Sequence, residues 1–392
     1  MANFISCNPK AADISDTSIM QLRVLFLSDA ITGRNGVGSY YDDLIGHLKD
    51  YIAYAGLVSP GGDAGDYAHG LFFPLPGDPT QRVYLPRASR IYHNSKTVAP
   101  DVIVVPTPGL YGLLGFAIAK YLGIPLCAGY HTRYEKLTEL YWNSSFCGIS
   151  RLYMKLINRI LFRSSERVVA NSMEMIDEAR RDGAPSTVMA GTPIGKTFLT
   201  PPFAPLSADF ESVCYAGRLA LEKNIEDILR AAERLSHIRF TIAGDGPLRD
   251  KVAEHAKTFP NVEYAGWLSR EGVKDLIDES DMLLLPSEVE AFGTIALEAM
   301  ARRRLVLVSE KCGILDWPDL ADGVYAFGRR ETLADAISRI AATGYDKRLK
   351  KANTAHRAAE TFNNQTIRQW IYLFGDILAK GCNPEKNEEK SL

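Results

Sequence analysis

Glu290 and Glu298 stand eight residues apart in the segment LLLPSEVEAFGTIALEAM. The first falls in a loop that follows an apolar strand-like run, and the second about one turn into a helix-like run. Both carboxylates can then face one pocket and accept hydrogen bonds from sugar hydroxyls. Between them lie Phe292, Gly293, Thr294 and Ile295, and amides that open a helix suit a phosphate. Arg218 and Lys223 flank a second junction of this kind, in YAGRLALEKNIEDIL, where two cations and free amides could converge on one diphosphate. A third, SDAITGRNGVGSYYDDL, carries Gly33, Gly36 and Gly38, and glycines let a phosphate approach the backbone. Each piece alone has a plainer account: an exposed helix Glu, an N-terminal cap, two solvated cations, a tight turn before a helix. The glycine spacing is not G-x-G-x-x-G, and no acidic residue closes an obvious second strand, which disfavours a nicotinamide dinucleotide.

Short apolar runs position these loops. Segments 23–30, 101–106, 125–130, 167–172, 212–219, 239–246, 261–268, 282–287 and 304–310 are aliphatic without strict alternation, as strands covered on both faces require. Amphipathic stretches such as 224–235 and 272–280 lie between them, so the fold class is α/β with doubly wound parallel sheets. The proline-rich stretch 197–212 breaks that rhythm and reads as a linker between two domains, while the charged tail 382–392 reads as disordered. A chain of 392 residues fits two such domains.

The charge of −2 gives no bulk attraction for nucleic acid. No apolar run reaches the length that spans a bilayer. The N-terminal stretch lacks the basic flank and apolar core of a secretory signal, and the six cysteines show no C-x-x-C spacing. These features point to a reducing cytoplasm and away from a disulfide frame or a zinc site. No Asp-x-Asp ends an apolar strand, so a metal-held diphosphate finds no support either.

The order of the pieces is more specific than any one of them. A strand then GR-x4-K, a strand then AGDGPL, a strand ending in Gly-Trp, and P-S-E-x-x-E-x-F-G with a further Glu follow one another in one half of the chain. This resembles the retaining nucleotide-sugar glycosyltransferases of family 4, across about residues 20–380. The resemblance implies the GT-B architecture, two Rossmann-like domains facing across a cleft. They would be an acceptor domain over 20–196, joined by a returning helix at about 365–381, and a donor domain over 210–364. It implies that Arg218 and Lys223 hold the donor diphosphate, that Glu290 lies against the donor sugar, and that Glu298 bonds the nucleotide ribose. Phe292, Gly293, Thr294 and Ile295 would meet sugar and phosphate; Gly244, Asp245, Gly246, Trp267 and Leu268 would line base and ribose. Gly36 and Gly38 would close on the phosphates, and His131, at the end of an apolar strand, would face the cleft. The implied reaction moves a hexose from a UDP- or GDP-linked donor with retention, without cofactor or metal. Three positions depart from the family pattern: Asn35 in the first loop, Arg303-Arg304-Leu305 for a Gly-x-Pro, and Cys312-Gly313 for a Gly-Gly.

Arg151, Lys155, Arg159 and Arg163 recur every four residues in SRLYMKLINRILFRSSERVV and form one stripe on a helix whose other positions are largely apolar. Such a helix can lie on an anionic membrane surface; a core-packed helix with a solvated basic face fits the same pattern. His131-Thr132-x-Tyr134, followed by Tyr141, resembles members that glycosylate lipids, which makes Tyr134 and Tyr141 candidate acceptor contacts at the inner face of the cytoplasmic membrane. A nucleotide-sugar epimerase, a sugar phosphorylase and a non-catalytic GT-B partner subunit share the phosphate-binding parts and stand as the other readings.

Overall fold

The aliphatic runs become the strands of two parallel sheets. The computed structural model describes residues 17–31, 36–61, 67–75, 78–131 and 144–381. In the first sheet β1 (Arg23–Leu27), β2 (Tyr54–Val58), β5 (Val102–Val105), β6 (Leu126–Tyr130), β7 (Arg167–Ala170) and β8 (Thr187–Met189) lie in the order β2-β1-β5-β6-β7-β8. Strands β3 (Ala68–Leu75) and β4 (Asp78–Pro86) form a separate antiparallel hairpin. In the second sheet β9 (Ser212–Ala216), β10 (Arg239–Ala243), β11 (Val262–Gly266), β12 (Met282–Leu285), β13 (Leu305–Ser309) and β14 (Tyr325–Phe327) take the order β11-β10-β9-β12-β13-β14. All pairs within these two sheets are parallel. The α/β fold with two Rossmann-like domains expected from the sequence is the one observed. Most expected strands end earlier than their apolar runs, because the last residues of each run turn out of the sheet into the functional loops.

Helices cover both faces. In the first domain α1 (Gly36–Leu48) packs on one face; α2 (Ala88–Val98), α3 (Leu110–Leu122), α4 (Ser144–Ser164) and α5 (Met173–Arg181) pack on the other. In the second domain α6 (Ile225–Arg234), α7 (Arg249–Thr258), α8 (Arg270–Asp278), α9 (Thr294–Ala301) and α10 (Leu333–Ala341) flank the sheet. The returning segment is the second half of one unbroken helix, α11 (Tyr345–Gly381), which contains no proline to stop it. Its Ala355, Ala359 and Phe362 pack on the second domain, and Ile367, Trp370 and Phe374 on the first.

The proline-rich linker is fastened down. Arg302 donates to the carbonyls of Thr200 (2.8 Å) and Pro202 (2.5 Å), and Arg304 to those of Ala204 (2.9 Å) and Pro205 (3.0 Å). Arg303 sits between them at φ 60°, the left-handed position that closes α9. Arg304, within the departure from Gly-x-Pro, and Arg302 just before it place two buried cations along the linker and tie it to the second domain.

Candidate active site

Strands β9 and β12 are neighbours at the centre of the second sheet, and their connections leave toward opposite edges. The crevice at such a switch point is where open α/β sheets bind ligands. The loop after β9 carries Arg218 and Lys223; the loop after β12 carries Glu290. The amide of Glu288 donates to the Glu222 carbonyl at 2.8 Å and ties the two loops together. Lys223 Nζ lies 2.6 Å from Glu290 Oε2, which also accepts from Ser287 Oγ at 3.4 Å. Arg218 Nη1 is braced by buried Glu222 at 2.9 Å. Burial works against the Lys223 ammonium, but the charge and hydrogen bond of Glu290 outweigh it, and its pKa is raised. The lysine is thus a fixed positive charge.

Helix α9 opens beside this pair with Gly293 at its N-cap, φ 98°. A Cβ there would lie 2.9 Å from both Cys312 Sγ and Leu285 Cδ2, so conformation and space both demand glycine. Cys312, at the family's Gly-Gly, is buried and donates from Sγ to the Phe292 carbonyl at 3.3 Å. Gly244 and Gly246 have φ 140° and 154° and press against the carbonyls of Gly217 and Leu219, fitting the loop after β10 to the loop after β9. Trp267, at the end of β11, is 59% exposed beside them; Leu268 is half-buried.

The first domain contrasts with this. Its own helix start at a switch point, that of α3, is already filled by the carboxylate of Asp29, which accepts from the amides of Tyr111 (2.9 Å) and Gly112 (3.2 Å). The two helix starts thus differ: that of α3 is closed by a side chain, whereas that of α9 stands beside Lys223. His131 follows β6 and is only 6% exposed. Tyr41 on α1 meets its Nε2 at 2.7 Å, and the Tyr40 ring packs 4.4 Å from the imidazole centroid. Nδ1 has no partner. Burial pushes the His131 pKa down to about 3, so the ring is neutral at pH 7. Burial also pushes the Tyr41 hydroxyl well up, which keeps it protonated. A Tyr41 hydroxyl that donates to Nε2 leaves the imidazole hydrogen on Nδ1, where a ligand could accept it.

Glu298 does not share a cation with Glu290. It is 3% exposed and pairs with Arg270 Nη1 at 2.6 Å, while Arg270 Nη2 reaches across to Asp43 Oδ2 on α1, also at 2.6 Å. Burial raises the Glu298 pKa and the pull of Arg270 opposes the rise.

Gly36 is exposed at the first position of α1 and Gly38 is buried two residues on. Thr294 and Ile295 form the first residues of α9, with Phe292 buried just before it. Asp245 accepts from the following amide of Gly246 at 2.9 Å. Tyr134 and Tyr141 lie outside the described residues. The sequence reading did not single out Glu222 or Ser287, which lie next to the residues it named, nor Tyr41, Asp43 or Arg270, which come from elements distant in the chain. Arg270 alone left a trace: a guanidinium in the first turn of a helix opposes the helix dipole and needs a dedicated anion.

Two parallel Rossmann-like domains that meet over this cleft define the GT-B class. A family model described as "Glycosyltransferase Family 4" matches residues 34–190, and one described as "Glycosyl transferases group 1" matches residues 202–358. The chain belongs to the group 1 glycosyltransferases, with a family 4 N-terminal domain. The sulfoquinovosyl transferase of Arabidopsis thaliana is 24% identical over 62% of this chain and 49% of its own length. A GDP-mannose-dependent alpha-(1-6)-phosphatidylinositol dimannoside mannosyltransferase of Mycobacterium tuberculosis is 31% identical over 38% of this chain and 40% of its own. The chain spans about half the length, or less, of these relatives. Among solved structures, a sucrose-phosphate synthase from Thermosynechococcus elongatus superposes with a TM-score of 0.68 at 16% identity, covering 91% of this chain and all of that one.

Proposed function

We propose that the chain moves a hexose from a nucleoside-diphosphate sugar, UDP- or GDP-linked, to an acceptor hydroxyl with retention at the anomeric carbon. The observation that carries this is the Lys223–Glu290 pair at the start of α9, with Arg218 on the same loop as Lys223. Breaking a sugar–diphosphate bond puts negative charge on the diphosphate and positive charge on the anomeric carbon. Lys223, Arg218 and the positive end of α9 are donors aimed at the first, and they serve in place of a metal; the Glu290 carboxylate faces the second. The exposed Trp267 ring gives a flat surface for a base or ribose beside the glycine loop. His131, neutral, offers its Nδ1 hydrogen to a sugar oxygen and holds that oxygen in place without supplying charge.

The acceptor we propose is a lipid headgroup at an anionic membrane surface. Helix α4 exposes Leu152, Tyr153, Leu156 (56%) and Ile160, with Lys155, Arg159 and Arg163 exposed alongside. The β3–β4 hairpin adds exposed Leu71, Phe72 and Phe73. Asp182 lies within electrostatic reach of Lys155 and Arg159 and offsets part of their charge. Apolar side chains beside a basic stripe are the pattern of an interfacial helix. Among the described residues no helix is long and apolar enough to cross a membrane. The relative whose name includes phosphatidylinositol dimannoside points the same way.

The test has two stages. Purified protein is screened by thermal shift against UDP, GDP, ADP and their sugar conjugates; a ligand at a hundred times its Kd adds about 2.7 kcal/mol. The stabilising donor is then incubated with vesicles containing anionic phospholipid. Transfer of label to lipid, lost in Glu290→Gln, is the expected result. No stabilisation by any nucleotide refutes the donor reading, and transfer to soluble sugars alone refutes the lipid acceptor.

A further inference from the structure

We infer that Arg270 is a positioning residue that couples the ribose-binding carboxylate of the donor site to the helix bearing the glycine loop of the other domain. The inference rests on the donor reading above and on Glu298 as the ribose contact. Arg270 lies in the first turn of α8, where the helix dipole disfavours a cation. It is held there by two carboxylates at the same distance, 2.6 Å: Glu298 from its own domain and Asp43 from α1 of the other. The Phe198 ring lies 4.8 Å from the guanidinium carbon. Gly195 closes the remaining side; a Cβ there would fall 2.4 Å from Arg270 Nη2 and 2.6 Å from Asp43 Oδ1. The guanidinium is therefore flanked by two carboxylates and a ring, with its side chain still 32% exposed.

One guanidinium between two buried carboxylates makes them competitors. Burial and the charge of Glu298 push the Asp43 pKa up, and the guanidinium 2.6 Å away pulls it back, so Asp43 depends on Arg270 for its charge. A ribose that donates hydroxyl hydrogen bonds to Glu298 takes up part of that carboxylate's charge and leaves Arg270 to Asp43. Donor binding thus strengthens the contact between domains, and by reciprocity domain approach strengthens donor binding. What moves with Asp43 is the rest of the catalytic face. Helix α1 begins at Gly36, and Tyr41, two residues before Asp43, bonds His131. Gly36 and Gly38, the His131 support and the Asp43 contact with Arg270 all lie on helix α1.

Four variants of the full chain test this by calorimetric titration with UDP and GDP and by the rate of donor hydrolysis in the absence of acceptor. Glu298→Gln should weaken nucleotide binding about tenfold. Arg270→Met should weaken it by as much, although it touches no nucleotide, and Arg270→Lys should recover most of the loss. Asp43→Asn should weaken nucleotide binding about threefold, because the reciprocal coupling is lost, and cut donor hydrolysis about tenfold, a larger fall in rate than in affinity that mere destabilisation does not produce. Wild-type affinity in Glu298→Gln refutes the ribose assignment and the proposal with it. Weakened Glu298→Gln with wild-type Arg270→Met overturns the coupling alone. Hydrolysis by Asp43→Asn within twofold of wild type overturns the link between domains. Should Arg270→Met not fold, Arg270→Lys and Asp43→Asn decide the matter by the same readings.

Discussion

Replacing His131 by Gln should remove one pH-dependent contribution to stability whose size follows from the structure. The imidazole is buried and its pKa is pushed down to about 3 from an ordinary 6.5. The unfolded chain therefore binds a proton near pH 6.5 that the folded chain refuses, and stability is lost as pH falls through this window. From 6.5 to pH 5 is about 1.5 units, and each unit costs about 1.4 kcal/mol, so wild type loses about 2 kcal/mol that the Gln variant keeps. The comparison must be a difference between the two proteins. Asp29 and Glu298 have raised pKa values from burial, stabilise the fold in the opposite direction as pH falls, and cancel when variant is subtracted from wild type. Urea unfolding of both proteins at pH 7, 6 and 5 gives the gap at each pH. The gap should shift against wild type by about 2 kcal/mol between the ends, on the order of 4–8 °C in melting temperature for a domain of this size. A gap constant to within about 0.5 kcal/mol refutes a buried neutral imidazole, because one pKa unit corresponds to about 1.4 kcal/mol.

Lys223→Met leaves Glu290 without its cation; breaking a buried pair costs about 3–5 kcal/mol, and since both side chains are about one-fifth exposed we expect about 1–3 kcal/mol, read by urea unfolding at pH 7, with at least tenfold weaker UDP or GDP binding. Gly293→Ala meets both the left-handed φ and a 2.9 Å contact with Cys312 Sγ, so it should cost about 2 kcal/mol or more, and Cys312→Ala added to it should recover part of the loss in the same unfolding assay.

The fold was legible because its signals are local. Unalternating runs such as MLLL and LVLVS can only be doubly covered strands, and the glycines at 244, 246 and 293 mark the loops that leave them. Five strands carry no clear signal: β2, β8 and β14 sit at the sheet edges with weaker apolar runs, and β3 and β4 form a hairpin outside both sheets. The chemistry was legible only by type. That Lys223 would meet Glu290 follows from two loops on adjacent strands, which the motif order implied. That Glu298 would belong to Arg270, and Arg270 to Asp43, requires knowing how the domains sit, and nothing within any one segment encodes it. Likewise Tyr41 and His131 are 90 positions apart and meet only because α1 covers the end of β6.

The linker shows how a stretch that reads as a hinge is held by buried cations. Three prolines in a row of irregular residues suggest a hinge, yet the carbonyls of Thr200, Pro202, Ala204, Pro205 and Ala208 all accept from Arg302, Arg304 or Arg348. Arg302 is itself anchored on Asp278. Domain motion must therefore be taken up before Thr200, near Ile194, whose amide and carbonyl are held by Asn363 (2.8 Å) and His47 (2.7 Å). This part of the chain adjoins Gly195, which walls the Arg270–Asp43 contact. Arg302→Met should release the strap and orphan the Asp278 carboxylate. Removing one partner of a buried pair costs about 3–5 kcal/mol, and the second domain should bear that loss in urea unfolding. It should also make the backbone at 200–205 exchange its amide hydrogens faster, while 191–195 stays as in wild type. Equal acceleration in both segments would mean that the linker and the Ile194 region form one flexible joint, and that the strap is not what separates them.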